Sequence, residues 1–108
     1  MIRPPPIRRV TPPALPRRHE LKCWPEPFMA VRSRRKPFEF RKDDREYRIG
    51  DELLLLEFDP ELGAFSGDWE LTLVTYILRD SFGLPPGFVV MGLAFVDSNL
   101  RTTDGPHS

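Results

Sequence analysis

The sequence predicts a small α+β domain of the β-barrel type, and three observations carry that prediction. Alternating or aliphatic runs recur at residues 19–24, 38–41, 52–58, 69–78 and 88–95, each bounded by Pro, Gly or polar turn residues. A single Pro-started stretch, residues 25–32, spaces its apolar residues as a short helix does. With 108 residues the chain holds one domain and one modest core. A core of that size leaves little room for a deep cavity, so a ligand is expected in a surface cleft.

Residues 1–18 contain six Pro and five Arg and no acid. Such a segment lacks backbone donors and burial enough to offset its ordering entropy, so it reads as a disordered polyproline-like arm. Within it, residues 13–18 match the PxxPxR pattern of polyproline ligands, and its charge also suits nonspecific contact with nucleic acid. The domain is expected over residues 19–96. Residues 19–24 form its first strand, with His19 bonding adjacent backbone, and Pro25 opens a helix where its missing N–H costs nothing. Phe28, Met29 and Val31 give that helix an apolar stripe, and Pro37 stops it.

In the second strand Phe38 and Phe40 alternate with Glu39 and Arg41, which predicts an aromatic face on the core and a charged face outside. Residues 47–51 read as a turn. Four consecutive Leu at 53–56 cannot alternate, so that strand is expected to be covered on both faces, as in a closed barrel. A turn at 59–63 joins it to a partner strand at 69–78, residues 81–87 form a loop, and residues 88–95 complete the sheet. Residues 97–108 are expected to fray as a disordered tail, which takes His107 with it.

The formal net charge of zero hides an asymmetry. Residues 1–48 carry 14 of the 16 Lys and Arg, whereas residues 51–70 hold seven acids and no base. Local fields, not the total, steer charged ligands, so an anionic partner remains compatible with this composition. Cys23 is the single cysteine, which excludes an intrachain disulfide and a Cys-based zinc site, and its neighbours Leu21 and Trp24 predict an inert buried thiol. No apolar run approaches the ~18 residues of a membrane span. The expectation is a soluble, cytoplasmic, monomeric protein. No Gly-rich phosphate loop, Ser-His-Asp set or CxxC pair is present, and the acids at 43–44 and 51–52 lack the spacing of a metal loop, so no cofactor and no metal are predicted.

Leu21-Lys22, Trp24-Pro25, Phe28, Lys36, Glu39 and Arg41 resemble the signature of ASCH domains, small members of the PUA-like β-barrel superfamily. The order HELK, WP, F-E-x-R-K-x-D-R, G-D and the closing Phe88-Val89-Val90-Met91-Gly92 resembles more closely a small uncharacterised ASCH-like family of phages and bacteria. Two positions depart from the pattern. Arg34 stands where the family has Gly, which takes the easy left-handed position from the helix exit, and Pro37 stands where Thr is frequent. Relatives that hydrolyse acetylated cytidine use a Lys and a Thr in this strand, and the matching Thr position here is Glu39.

If the first two strands face each other, Lys22, Trp24, Lys36, Glu39 and Arg41 outline a cationic, aromatic-edged cleft, and Lys42 and Arg45 extend its rim. Trp24 can stack on a base, the cations can meet phosphate, and Glu39 can accept from an exocyclic amine. The competing structural reading makes Glu39 and Arg41 a surface ion pair and residues 41–46 a solvated turn laced by local pairs and capped by Asp44. Three functional readings result: a module binding single-stranded RNA or a nucleotide, a small amidohydrolase of modified nucleobases using Lys36 and Glu39, or a protein-interaction module using the Pro-rich arm.

Overall fold

The computed structural model describes residues 15–80 and 83–99. Five strands and one helix follow in the order β1 (Arg18–Cys23), α1 (Pro25–Arg32), β2 (Phe38–Lys42), β3 (Glu52–Asp59), β4 (Ala64–Arg79) and β5 (Phe88–Ser98). They form one sheet in the order β1-β3-β4-β5-β2, parallel between β1 and β3 and antiparallel elsewhere. Register breaks between Leu56 and Phe58, at Leu71/Thr72 and at Val74/Tyr76 bend the long β4 and its neighbours. The sheet curls into a half-barrel.

The inner face of that curl is the core. Leu21 and Cys23 from β1, Leu53 and Leu55 from β3, Val74 from β4, and Val89 and Met91 from β5 are buried there, with Phe28 and Val31 of α1 beside them. Helix α1 begins with Pro at its first turn, carries Glu26 near its N-terminus and Arg32 near its C-terminus, and so complements its own dipole. Its end is a Schellman motif: the Arg34 N–H donates to Val31 and the Arg35 N–H to Ala30, with Arg34 at φ 67°. The left-handed position is thus kept although no glycine fills it.

Several expectations change. No backbone ladder joins β1 to β2, so the barrel is not closed by hydrogen-bonded strands. In β3 only Leu53 and Leu55 are fully buried, while Leu54 and Leu56 are half-buried, because α1 and the core cover one face alone. Strand β4 starts at Ala64, not residue 69, and β5 runs through Asp97 to Ser98, so the first residues of the expected tail belong to the sheet. The arm at residues 1–14 and the tail at 100–108 lie outside the described residues.

The start of β1 and the turn before β3 are held together by one carboxylate. Asp51 is buried and accepts from His19 Nε2 at 2.8 Å, from the Arg17 N–H at 3.1 Å and from the Arg48 N–H at 3.0 Å. His19 therefore bonds a side chain and not adjacent backbone, and its ring meets Tyr47 edge-on at 4.8 Å. Gly50, at φ 99°, makes the turn that delivers Asp51. Burial pushes the Asp51 carboxyl up, but the bonds from His19, Arg17 and Arg48 outweigh it and hold the group below its ordinary value.

Candidate functional site

Strand β2 faces the opposite way from the alternation reading. It pairs with β5 so that Glu39 opposes Met91 and Arg41 opposes Val89, both core residues, while Phe38 and Phe40 lie beside Gly92 and Val90 on the outer face. Glu39 is 4% exposed, whereas Phe38 is 41% and Phe40 47% exposed. The pattern F-E-F-R-K fits either face, and a carboxylate tolerates the inside only when its charge is matched. Here it is: Lys36 Nζ donates to Glu39 Oε1 at 3.1 Å and Arg41 Nε to Oε2 at 2.6 Å. The expected surface ion pair is a triad in which a buried carboxylate is held by two half-buried cations.

Around that triad lie two adjoining concavities. One, of about 380 Å³, opens between β1, the start of α1 and β2, and is lined by Lys22, Cys23, Trp24, Lys36, Glu39 and Arg41 among others. The second, of about 340 Å³, continues along β2 and its following turn, where Lys42, Asp44, Arg45 and Phe88 join Glu39 and Arg41. Phe40 borders both. Its ring stacks on Phe88 with centroids 5.3 Å apart and planes 18° apart.

All seven residues singled out in the sequence therefore border these two concavities, but three take unexpected parts. The Lys22 ammonium turns to the β3–β4 hairpin, 4.3 Å over the Phe58 ring, and it is the Lys22 carbonyl that meets Arg41. Trp24 does not share a strand face with Lys22. It is the N-cap residue of α1 and is 60% exposed. Arg45 bonds the Glu20 carbonyl at 3.1 Å. The turn after β2 is held by a distant pair, Arg79 Nε to Asp43 Oδ2 at 2.5 Å, and not by local pairs or by Asp44. Phe40 and Phe88 were missed; for Phe40 the signal was the same F-E-F alternation read with the other face inward, whereas Phe88 joins only through tertiary stacking on Phe40.

Cys23 lines the first concavity from its floor, yet it is unsuited to nucleophilic work. Burial, reinforced by the Glu39 charge against the opposing pull of Lys36 and Arg41, pushes its thiol up to about 11. Glu39, with each oxygen held by a cation, is likewise poorly placed to take a proton from substrate. Among the described residues no group of three or more His, Cys, Asp or Glu could hold a metal ion.

Residues 18–93 match the sequence model of a family described as Domain of unknown function (DUF3850). The chain belongs to this family. The match spans β1 through most of β5 and so contains the triad and both concavities. A search of curated proteins matched nothing. Within this DUF3850 domain, no helix among the described residues is long and apolar enough to cross a membrane.

Proposed function

We propose that this chain is an ASCH-like module that binds single-stranded RNA or a nucleotide in the two concavities along β2. The observation that supports this most directly is the position of Phe40, an exposed ring on the ridge between them. Trp24 stands on one side and Phe88 on the other, and Lys36, Arg41, Lys42 and Arg45 outnumber Glu39 and Asp44 around the rim. Aromatic rings offer stacking that any base can use, and cations beside them meet the backbone. Glu39 acts in this reading as the anchor that orients Lys36 and Arg41 along the lining of both concavities.

The test is titration of a labelled single-stranded RNA oligonucleotide at two salt concentrations. Phe40→Ala is expected to weaken binding by ~1–3 kcal/mol, the worth of one stacked base. Lys42→Glu and Arg45→Glu are expected to weaken it across all sequences and to flatten the salt dependence by about one unit of log–log slope for each phosphate left without its cation. Binding indifferent to salt and unchanged in Phe40→Ala would end this reading.

A further inference from the structure

A third buried carboxylate, besides Glu39 and Asp51, has one oxygen without a hydrogen bond. Glu70 of β4 is 1% exposed. Its Oε2 accepts from Arg32 Nε at 2.6 Å, and Arg32 goes on to Asp68 and to the Trp69 carbonyl. Its Oε1 is buried and has no hydrogen-bond partner among the described residues. Buried polar atoms are satisfied in the great majority of cases, so an exception beside a pocket asks what that oxygen could bind.

Space for a partner is present. A half-open pocket of about 40 Å³ is lined by Glu70, Arg34, Lys36, Thr72, Leu93 and Phe95 among others. That volume admits a small polar group, since one water needs roughly 10–15 Å³ of such space. Thr72 is already committed, its hydroxyl donating to the Leu53 carbonyl at 3.1 Å. Over the pocket lies Arg34, its guanidinium carbon 3.7 Å from the Phe95 ring centroid. Arg34 Nη1 is 3.7 Å from Glu70 Oε1, close enough for charge attraction and too far for a hydrogen bond. The same Nη1 donates to the Arg32 carbonyl at 3.0 Å, and the Schellman turn fixes the Arg34 backbone, so the side chain is tethered short of the oxygen.

We propose that this pocket is a binding site for a small planar N–H cation of the guanidinium or amidinium class, stacked on Phe95 and donating to Glu70 Oε1, with Arg34 as its displaceable internal competitor. Arg34 itself shows the chemistry that the place accepts: planar, cationic and lying on an aromatic face. Charge balance agrees. Arg32, Asp68 and Glu70 together carry one net negative charge, which a monovalent cation neutralises once Arg34 swings to solvent. This site stands apart from the proposed nucleic-acid surface, because the ammonium of their shared neighbour Lys36 is spent on Glu39.

The probe is methylguanidinium at millimolar concentration, followed by amide chemical-shift changes at residues 70–72 and 93–95, with tetramethylammonium at equal ionic strength as the cation without N–H donors. Arg34→Gly empties the mouth and relieves the left-handed backbone, so it keeps the fold. It is expected to bind methylguanidinium about tenfold more tightly than wild type, as removal of an occluding state does. Glu70→Gln in that background is expected to lose saturable binding, with a thermal melt confirming that it is folded. A capped arginine peptide run in parallel separates sources: tighter binding than methylguanidinium marks a partner's arginine, equal binding a free small molecule. No saturable shift in Arg34→Gly, or equal shifts with tetramethylammonium, would overturn the proposal.

Discussion

Asp51 and Glu39 are both buried carboxylates, and what surrounds each oxygen decides what the residue does. Asp51 collects two backbone N–H groups and His19, which ties the start of β1 to the turn before β3. Replacing it by Asn keeps one acceptor and leaves a donor facing donors, so a cost of roughly 1–3 kcal/mol is expected. Because its folded pKa lies below the ordinary 3.8, the charge contributes stability that is fully present above that value and is lost as pH falls through the lower folded value. Urea denaturation of wild type and Asp51→Asn should therefore show a gap at pH 7 that narrows below pH 4. A gap independent of pH would mean that shape, and not charge, holds the turn. For Cys23 the sign is reversed. Its folded thiol titrates near 11, above an unfolded value near 9, so its contribution makes the fold less stable as pH rises across that window. Native thiolate absorbance should accordingly rise near pH 11, and a rise near pH 9 would place the thiol in water.

At the scale of elements, the order and nature of the segments were legible in the sequence, while the choice of face was not. Pro25, Pro37 and the turn at 59–63 punctuate the chain where the elements change. Facing failed in β2, where aromatics and charges alternate with equal regularity and only tertiary charge matching at Glu39 decides between them. It also failed in β3, where four leucines carry no period at all. The structure separates them, and mutation can check the separation. Leu55→Ala is expected to cost ~2–5 kcal/mol, since the side chain is fully buried, and Leu54→Ala roughly 1 kcal/mol, since it is half-buried on the outer face. Equal costs in chemical denaturation would show both faces covered after all. The candidate cleft was legible only in part for the same reason. Its residues were named by type, but β1 and β2 are not hydrogen-bonded neighbours: they are opposite edges of the sheet, brought face to face by the curl.

In the whole molecule those two edges are the vulnerable margin, because unpaired edge strands invite other strands to pair with them. Here arginines cross the seam instead of a backbone ladder. Arg41 donates to the Lys22 carbonyl, Arg45 to the Glu20 carbonyl at 3.1 Å, and Arg17, just before β1, to the carbonyls of Arg45 and Glu46 at 2.9 Å each. Side-chain bonds at an exposed margin are individually worth about 1 kcal/mol, and a long side chain must be ordered to make each one. The seam should thus open locally at a free energy well below that of global unfolding, and it is this seam that borders the cleft. Arg45→Ala removes one crossing bond without touching the Lys36–Glu39–Arg41 triad. Amide hydrogen exchange is expected to quicken in β1 and β2 of that variant, while β4 and β5 at the centre of the sheet keep their protection. Single-stranded RNA bound in the cleft should slow the same amides. Uniform acceleration across all five strands would mean that the edges separate only when the domain unfolds, and unchanged exchange in β1 and β2 would mean that the arginines do not hold the seam.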